Sequence, residues 1–568
     1  MLTKKGNLRE AASLEEVGAA SAGELAIVNS VSHRREPFLR IPPFPGARCS
    51  SLVAVPGPHC EPHTLAEALR RSKVGGSFWG AQPELPASHV LARSRVALDA
   101  AKQLFPTLPI VLWDCAGEFR GFVGATVISG ECDPWHMLSG ACALVTAPDD
   151  ELRLVAALLG VTCYDVDPVA RRAGKTSLDP MGLIAAAFST GAFENPFTGE
   201  TMDALAAVEL CAFWRMLIDS NRRLAGGLGF AFWKQDRVAP LLWGGAKPFP
   251  FLRDVDQVKT GEAVAIWQAK TPPAIIAELE RRQIATVEVE DGFLRSRGLG
   301  ADCIPPLSIT VDCLGAHFDP SRASELEGLI QNGQFDQPLL DRARELRRLI
   351  VQAGLGKYER GTEVLERPAG NRRHILVPGQ VEDDRAVTTG GCGLVSNLDL
   401  LSRVREQAPE AYLLYKPHPD VLAGHRRGSI RDRDCLRFAD EIVGELPISS
   451  LIDMVDEVHV NSSLAGFEAL VRGTPVTTYG VPFYAGWGLT RDLGPVPRRR
   501  SQQRTIDELI AATLLLYPRY LDPVTGLPCP AEVVVARLSV EEEDDAGLVV
   551  GMRRLQGKLM RRLRSLAQ

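Results

Sequence analysis

The sequence has no apolar run long enough to cross a membrane, and its opening, MLTKKGNLREAASLEEVG, is polar. A signal peptide would place its apolar core in that region, and a transmembrane helix requires about 20 predominantly apolar residues. Both absences lead us to expect a cytoplasmic protein without a membrane-spanning segment.

Closely spaced cysteine pairs are also missing, since none of the twelve cysteines stands in a CxxC pattern. Zinc ribbons and thioredoxin-like redox sites use such pairs, and disulfide scaffolds are short secreted chains dense in cysteine. We therefore expect buried or free thiols in a reducing compartment. We predict no metal site and no bound cofactor.

Positive charge is not in excess, because 64 Lys and Arg stand against 70 Asp and Glu, for a formal net charge of -6. This balance gives no general attraction to nucleic acid, which is not a predicted partner. The apolar fraction of 45% and the charged fraction of 24% are ordinary for a globular protein. A length of 568 residues favours two or three domains.

Alternating strand and helix patterns predict an α/β protein with parallel sheets. The beginning of the chain, up to about Leu85, is rich in Pro, Gly, Ser and Arg, so we expect it to be loose or partly disordered apart from one helical piece near Thr64 to Arg71. We predict an N-terminal α/β module over residues 1–225. Residues 226–540 should form a module of two Rossmann-like lobes, 226–370 and 371–540, that face a cleft. Residues 541–568 should form an acidic linker with a basic helix.

Two stretches of the N-terminal module resemble the C-terminal lobe. The segment LVTAPDDELRLVAALLGVTCYDV, from Leu144, is similar to HVNSSLAGFEALVRGTPVTTYGV, from His459. Self-similarity of this kind indicates an internal repeat. We interpret the N-terminal module as a shortened duplicate.

The stretch from His374 to Asp420 predicts a βαβ unit with polar groups at both strand ends. A short apolar run ends in Pro-Gly and an acidic loop, and the next strand ends in Lys-Pro-His-Pro: Gln380, Asp383 and Asp384 in the loop, Lys416 and His418 in the turn. Ligands of open α/β sheets bind beyond the carboxyl ends of the strands, so these groups should face one crevice. An imidazole there suits a phosphate contact or proton transfer to a leaving phosphate.

The adjacent acids Asp383 and Asp384 are compatible with three roles. Paired carboxylates in a loop are often only solvated, and metal binding is a second role. In a sugar cleft, a carboxylate can attack an anomeric carbon, which gives a covalent intermediate and retained configuration. The residues alone do not choose between these roles.

Two further motifs place polar groups at the ends of elements. Ser462 and Ser463 open a predicted helix, where serines cap free backbone N–H groups and where phosphate binds the same donors. Glu468, one turn further, is placed to bind ribose hydroxyls. After another predicted strand, Glu290-Asp-Gly-Phe-Leu-Arg295 offers an acid pair and a cation. The alternative interpretation is a turn with an ion pair between Arg295 and Glu290.

Aromatic residues make up only 6% of the sequence, yet three of them occur together with two glycines in PFYAGWG. We expect Phe483 to fill the core. Tyr484 and Trp487 stand close to Gly486 and Gly488, and we predict that they lie in a loop over a ligand.

The sequence resembles the capsule polysaccharide biosynthesis and export proteins of the KpsC type, the retaining β-Kdo transferases. The resemblance covers about Phe230 to Leu538 and is carried by eight segments in the family's order: EDGFLRSRGLG, PPLSITVD, GKY, ILVPGQVEDD, YKPHPDVLAG, SSLAGFEAL, PFYAGWGLTRD and YPRYLDPVTG. It implies a GT-B-like pair of lobes. It also implies transfer of Kdo (3-deoxy-D-manno-oct-2-ulosonic acid) from CMP-β-Kdo, with retention, to a Kdo-terminated glycolipid.

The resemblance implies that Asp384 is the nucleophile, that Glu290 and Asp291 serve the sugar and acceptor, and that His418, Ser462, Ser463 and Glu468 hold CMP. Together with the residue patterns above, it gives the following assignments. The catalytic set has Asp384 as its nucleophile and further includes Asp383, His418, Glu290 and Asp291. The residues that would hold the donor nucleotide are Lys416, His418, Ser462, Ser463 and Glu468. The residues that would contact the sugar or the acceptor are Arg295, Gln380, Tyr484 and Trp487.

The sequence departs from the family in two respects. Where the family runs Asp-Ala-Ser-Ile after the acids, this chain has Asp384-Arg385-Ala386-Val387, which removes a hydroxyl and adds a cation beside the predicted nucleophile. Full-length relatives carry two catalytic modules, whereas residues 1–225 contain none of the EDGF, Gln-Val-Glu-Asp-Asp, Lys-Pro-His-Pro and Phe-Tyr-Ala-Gly-Trp motifs. We predict a degenerate, non-catalytic module there.

Two other functions fit the same motifs. One is a transferase that uses another nucleotide sugar, as a sialyltransferase does. The other is a non-catalytic export factor that binds glycan or nucleotide and acts with other capsule assembly proteins.

The segment from Met552 to Leu566 has apolar residues at helical spacing beside a basic flank. A helix of this kind either packs on its own protein or lies on an anionic membrane. Because the family's acceptor is attached to lipid, we predict peripheral binding to the inner face of the cytoplasmic membrane.

Overall fold

The computed structural model describes most of the chain after its first 36 residues. The described residues are 37–114, 125–296, 304–356, 365–367, 370–424, 426–444 and 446–540. The predicted C-terminal helix, Met552 to Leu566, and the GKY segment after Gly356 lie outside them. Among the described residues, no helix combines the length and the apolar character that crossing a membrane requires.

The N-terminal module alternates strands and helices, as predicted. Its elements are β1 (Ala54–Pro56), α1 (Pro62–Ser72), β2 (His89–Ala92), α2 (Arg95–Leu104), β3 (Ile110–Asp114), β4 (Thr126–Ser129), α3 (Pro134–Leu138), β5 (Ala141–Thr146), α4 (Leu152–Leu159), β6 (Thr162–Asp167), β7 (Arg172–Thr176), α5 (Pro180–Ala187), β8 (Gly191–Glu194), β9 (Thr201–Asp203) and α6 (Ala204–Asn221). The main sheet has the order β4-β3-β2-β5-β6-β7 and is parallel except between β6 and β7. A small antiparallel sheet has the order β1-β8-β9.

The expectation of a loose chain up to Leu85 is wrong for the part from residue 37 onward. The predicted helical piece is α1, which packs against α6. Outside it, Leu39, Leu52 and Phe78 are buried, and they belong to the hydrophobic core although the apolar residues around them lack a regular period. Composition and periodicity therefore underestimated how much of it is ordered.

The first lobe begins with β10 (Leu224–Leu228), which follows α6 directly. Its next elements are α7 (Phe232–Leu242), β11 (Ala263–Ile266), α8 (Pro273–Arg281), β12 (Ala285–Asp291), β13 (Ser308–Asp312), α9 (Glu325–Asn332) and α10 (Gln337–Gln352). Strands β10, β11 and β12 are parallel, but β13 is antiparallel to β12. The predicted parallel arrangement holds for β10 to β12 but does not extend to β13, because apolar periodicity does not report the direction of a strand.

The second lobe has a fully parallel sheet. Its elements are β14 (His374–Pro378), α11 (Arg385–Thr388), α12 (Asn397–Gln407), β15 (Tyr412–Lys416), α13 (Pro419–Leu422), α14 (Asp432–Cys435), β16 (Glu441–Ile442), α15 (Ile448–Met454), β17 (Glu457–Val460), α16 (Leu464–Arg472), β18 (Val476–Thr478) and β19 (Arg491–Asp492). The sheet order is β16-β15-β14-β17-β18-β19. Numbered within the lobe, this is the 3-2-1-4-5-6 order of a Rossmann fold.

The main sheet of the N-terminal module has the same 3-2-1-4-5-6 order. The two similar sequence segments occupy the same positions in the two sheets, since β5 and β6 correspond to β17 and β18. Shared strand order at matching segments supports the interpretation of the N-terminal module as a duplicate.

After the second lobe the chain returns to the first. Its last elements are α17 (Ile506–Ile510), a π-helical turn (Ala511–Leu516), β20 (Pro518–Leu521), β21 (Pro528–Cys529) and α18 (Ala531–Ser539). Strand β20 pairs antiparallel with β13, and β21 pairs with β20, so these strands complete the first lobe's sheet. The predicted division at 370/371 therefore does not follow the sheets at the C-terminal end.

The N-terminal module shares a hydrophobic core with the two lobes. Trp214 on α6 is fully buried, packs edge-on against Phe44 with ring centroids 6.2 Å apart, and donates from Nε1 to the carbonyl oxygen of Pro528 at 2.8 Å. Between the lobes, Arg385 of the second contacts Glu290 of the first. Two Rossmann-like lobes in contact across a cleft confirm the predicted GT-B-like fold.

Candidate active site

Three loops follow neighbouring parallel strands at the carboxyl edge of the second lobe's sheet. β14 pairs with β15, which sets Pro378 opposite Lys416, and β14 also pairs with β17. The strand order reverses between β14 and β17, and such a reversal is where open α/β sheets bind ligands. The acidic loop, the Lys-Pro-His-Pro turn and the serines before α16 meet at this edge.

These loops line an open pocket, which encloses about 850 Å³ when the adjoining solvent space is included. Its polar lining consists of one side chain with an amide, two with carboxylates, one cation, one imidazole and one hydroxyl: Gln380, Asp384, Glu468, Lys416, His418 and Ser463. Concave pockets with a few convergent polar groups are typical of small-ligand sites. The groups predicted to face one crevice are together except for Asp383, and the roles assigned to them stay predictions.

The two adjacent acids differ in position. Asp384 lines the cavity and caps α11, since its Oδ1 accepts a hydrogen bond from the backbone N–H of Ala386 at 3.2 Å. Asp383 is not part of the lining, and its side chain is half exposed. Arg426 lies close to both acids, 3.4 Å from Asp383 Oδ1 and 3.9 Å from Asp384 Oδ2. Asp384 is therefore the acid that can meet a ligand in the cavity.

The Lys-Pro-His-Pro turn presents its two polar side chains differently. His418 caps α13: its Nδ1 accepts a hydrogen bond from the backbone N–H of Asp420 at 3.1 Å. An accepting Nδ1 leaves the proton of the neutral ring on Nε2, which makes Nε2 a donor. Lys416 is buried, and its ammonium donates to the carbonyl oxygens of Gly444, at 3.3 Å, and Leu446.

The serines before α16 divide their tasks. Ser463 lines the cavity and caps α16 by accepting from the N–H of Ala465 at 3.2 Å. Ser462 is not in the lining. Its hydroxyl donates to the carbonyl oxygen of Ala386 at 2.8 Å. It also accepts from the amide of Gln380 at 3.2 Å. In this structure Ser462 braces the loop that carries Asp384, and its predicted contact with the nucleotide stays a prediction.

Glu290 lies at the end of β12 and faces the second lobe. Its Oε1 accepts from Arg385 Nη1 at 3.1 Å, and its side chain is 18% exposed. Burial raises the pKa of Glu290 to about 7, although the nearby Arg385 lowers it. The negative charges of Asp291 and Asp384 raise that pKa further. Glu290 is therefore a carboxyl group that can exchange a proton near neutral pH and that senses the charge of Asp384.

Asp291 is held by two cations from its own lobe. Lys234 Nζ lies 3.0 Å from its Oδ1, and Arg295 Nε lies 2.9 Å from its Oδ2. Arg295 is fully buried and also donates to the carbonyl oxygen of Ile304 at 2.8 Å. The alternative pairing of Arg295 with Glu290 is wrong, as is the predicted sugar contact of Arg295. Arg295 is buried and bound to both Asp291 and Ile304, so it anchors Asp291 and cannot reach a ligand.

Comparison with known proteins identifies the family. Residues 262–520 match the model of a family described as capsule polysaccharide biosynthesis protein. The capsule polysaccharide modification protein LipA of Neisseria meningitidis is 37% identical over 367 residues, which cover 64% of this chain and 52% of LipA. The lipopolysaccharide-processing protein LpsZ of Rhizobium meliloti is 42% identical over 287 residues, 50% of this chain and 65% of LpsZ. The chain belongs to the capsule polysaccharide biosynthesis family.

Solved structures of KpsC from Thermosulfurimonas dismutans are also similar. The one titled beta Kdo 2,4 transferase is 31% identical, with a TM-score of 0.49, and the match covers 56% of this chain and 98% of that one. The one titled beta Kdo 2,7 transferase is 33% identical, with a TM-score of 0.45, and covers 55% and 97%. The chain spans about half the length of LipA and about two thirds of LpsZ.

The family's aromatic-glycine motif lies under the cavity and not over it. Tyr484 and Trp487 are fully buried, so their predicted place in a loop over a ligand is wrong, while Phe483 is in the core as expected. The hydroxyl of Tyr484 donates to the carbonyl oxygen of Ser463, and Trp487 Nε1 donates to the carbonyl oxygen of Phe483 at 2.8 Å. Gly486, at φ +91°, lets the chain turn back beneath α16. The motif supports the start of that helix.

At the matching edge of the N-terminal module, several side chains of the described residues contact one another. Arg93, just after β2, donates to Asp150 at 3.1 Å and stacks over Trp113, 4.2 Å from the ring centroid. Thr146 donates to the same carboxylate at 2.6 Å. Groups that bond one another leave little for a ligand, which supports the prediction of a non-catalytic module.

Three cations near the site were missed as functional residues by reading the sequence. Lys234, Arg385 and Arg426 contact the predicted acids from α7, from α11 and from the loop after α13. Arg385 left a signal, since it departs from the family pattern, but the other two stand in no motif. Among the described residues, no group of three or more His, Cys, Asp or Glu could hold a metal ion.

Proposed function

We propose that this chain is a retaining glycosyltransferase of capsule polysaccharide biosynthesis that moves Kdo from CMP-β-Kdo to a Kdo-terminated glycolipid. The observation that carries the proposal is the cavity in which Asp384 lies together with His418, Ser463 and Glu468. This set offers a nucleophile beside groups that suit a phosphate and a ribose. The choice of Kdo and CMP rests on the resemblance of the ordered sequence motifs to the KpsC type.

The nucleotide would bind along the start of α16 and the Lys-Pro-His-Pro turn. The backbone N–H groups at the helix start attract phosphate through their unpaired hydrogens and the helix dipole. His418 would donate from Nε2 to a phosphate oxygen, and Glu468 would accept from ribose hydroxyls. Lys416, whose ammonium is held by carbonyl oxygens, would contribute its charge to the field at the phosphate.

In the first step, a carboxylate oxygen of Asp384 attacks the anomeric carbon of Kdo. The bond from that carbon to the CMP phosphate breaks, its electron pair stays on the phosphate, and a glycosyl ester with Asp384 forms. The hydrogen bond from His418 would stabilise the charge that develops on the leaving phosphate. Configuration at the anomeric carbon inverts once.

In the second step, a hydroxyl of the acceptor sugar attacks the same carbon and releases Asp384. The proton of that hydroxyl passes to the Glu290 carboxylate, whose pKa of about 7 suits a group that accepts a proton near neutral pH. The second inversion restores the original configuration. Asp291, next to Glu290 on β12, helps to keep the pKa of Glu290 raised through its negative charge.

Product analysis tests the proposal. The full chain is incubated with CMP-Kdo and a synthetic Kdo-lipid, and we expect an acceptor that has gained Kdo by mass spectrometry, β configuration by NMR, and stoichiometric CMP release. CMP should inhibit and UDP should not. Binding of CMP without its release from donor and acceptor would instead identify a non-catalytic export factor. Turnover of a CMP-sialic acid in place of CMP-Kdo would identify another donor.

A second prediction concerns the nucleotide. His418→Asn should weaken CMP binding by about 1.5 to 3 kcal/mol, the scale for a lost hydrogen bond to a charged group. Asn is chosen because it still caps α13, so the fold is preserved. Isothermal titration with CMP is the measurement. Ser462→Ala is the comparison, since its hydroxyl lies outside the cavity, and we expect it to weaken CMP less. Equal CMP affinity in wild type and His418→Asn would show that the imidazole does not meet the phosphate.

A further inference from the structure

Arg385 links the two lobes beside the predicted nucleophile. It follows Asp384 directly, at the start of α11 in the second lobe, yet its guanidinium contacts residues of the first lobe. Nη2 donates to Gln268 Oε1 at 2.7 Å, and Nη1 donates to Glu290 Oε1 at 3.1 Å. The guanidinium also lies over the ring of Phe318, 5.1 Å from its centroid. Its side chain is only 24% exposed.

The carboxylates of β12 share this cation unequally. Glu288 and Glu290 alternate along the strand and therefore point to the same side of it. Glu288 accepts from Arg385 Nη2 at 3.3 Å and is also paired with Arg322 of its own lobe. Glu290 is hydrogen-bonded to Arg385 but not to Arg322. The position of the Glu290 carboxylate therefore depends on a residue from across the cleft.

We propose that Arg385 is a positioning residue for the transfer: from its place beside Asp384 it holds the Glu290 carboxylate where the acceptor hydroxyl must lose its proton. This inference rests on the proposed function. The planar fork of a guanidinium holds a carboxylate and a neighbouring amide in one fixed geometry, whereas the three hydrogens of an ammonium impose no common plane. Because Asp384 and Arg385 are consecutive, the contact also fixes the nucleophile's loop relative to the acceptor side.

The charges that surround Glu290 define what removal of Arg385 should change. Arg385 comes from α11, Lys234 from α7, Asp291 from β12 itself, and Asp384 from the acidic loop. Of these, Arg385 makes the hydrogen bond and is the larger stabiliser of the ionised carboxylate. Without it, Glu290 should hold its proton to higher pH, because an opposite charge within hydrogen-bond distance lowers a carboxyl pKa by about 1 to 3 units.

The test compares Arg385→Gln and Arg385→Lys with wild type across the pH range in steady-state transfer from CMP-Kdo. In Arg385→Gln, kcat should fall by up to about a hundredfold, the scale for a misplaced reacting group. The acidic limb of the pH profile should shift to higher pH by about one pH unit or more. KM for CMP-Kdo should not change, since Arg385 does not line the cavity. Arg385→Lys should return the acidic limb to its wild-type position on the pH axis but should recover only part of kcat.

Arg322→Gln is the matched control. It removes a guanidinium from Glu288 but none from Glu290, so the pH limb should stay at its wild-type position. A limb that moves as far in Arg322→Gln as in Arg385→Gln would overturn the proposal, because the effect would then be a general loosening. A pH profile of Arg385→Gln that superimposes on the wild-type profile would also overturn the proposal.

A measurement without substrate separates this inference from the proposed function. The pKa of Glu290 is raised from 4.5 to about 7 in the folded chain, so the folded state binds more protons in that window. The contribution of Glu290 to the free energy of unfolding therefore falls as pH rises from about 4.5 to about 7. In Arg385→Gln the fall should continue to higher pH, measured by urea unfolding.

The two readouts fail in different ways. If wild type transfers no sugar, the proposed function and the positioning role fail together, while the urea curves still decide whether Arg385 controls the charge of Glu290. If wild type transfers Kdo but the urea curves of Arg385→Gln and wild type coincide, the coupling between Arg385 and Glu290 is refuted and the transferase stands.

Discussion

Asp384→Asn is expected to reduce Kdo transfer by at least about a thousandfold, the scale for losing a group that acts directly in catalysis. The amide oxygen and nitrogen keep the shape of the carboxylate but lack the charge that attacks the anomeric carbon. Asn is also a good N-cap, so the start of α11 should be retained. CMP affinity and the free energy of unfolding should therefore stay near their wild-type values. Transfer is measured by CMP release and product mass.

The neighbouring acid gives a matched control for this variant. Asp383 has the same chemistry and a similar exposure, but it is not part of the cavity lining. Asp383→Asn should therefore keep most of the activity. Normal turnover by Asp384→Asn would refute its assignment as nucleophile, and loss of transfer in Asp383→Asn alone would give the role to Asp383.

Trp214→Ala is expected to lower the free energy of unfolding by about 3 to 5 kcal/mol, the usual cost of removing a large buried aromatic side chain. The indole fills the core between the N-terminal module and the first lobe. Its loss also leaves the carbonyl oxygen of Pro528 without its hydrogen-bond donor. Urea unfolding of the full chain is the measurement. A chain that begins at Ala225 lacks α6 altogether and should be destabilised for the same reason.

Met216→Ala is the control on the same helix. Its side chain is 68% exposed, so its removal should change the free energy of unfolding by no more than about 0.5 kcal/mol. Equal unfolding curves for wild type and Trp214→Ala would show that the N-terminal module does not support the lobes through α6. In that case a chain starting at Ala225 should fold and keep donor chemistry.

The polar edge of the second lobe could be predicted from sequence because each of its groups follows a strand. Short apolar runs end at Pro378 and at Lys416, and the residues just after a buried parallel strand must emerge at the sheet's carboxyl edge. Asp384 and His418 were placed in one crevice by that rule alone. The register of neighbouring parallel strands brings them together whatever the rest of the chain does.

Contacts between segments far apart in the chain could not be predicted in this way. Arg385 and Glu290 are separated by 95 residues, and no local period relates them. Tyr484 and Trp487 look like ligand-facing aromatics beside glycines, but they are buried under α16. A motif gives the kinds of side chain that are present; the face that each one presents depends on what packs against it.

The sequence by itself determined the α/β character, the lobe that carries the cavity and the order of its functional loops, because strand ends and helix starts are local features of the chain. Only the tertiary structure decided the direction of β13, the return of β20 and β21 to the first lobe, and the pairing of Glu290 and Asp291 with Arg385, Lys234 and Arg295. Strand direction and ion pairs depend on how distant segments bury their apolar surface against one another, and apolar periodicity within one segment carries no record of its partners.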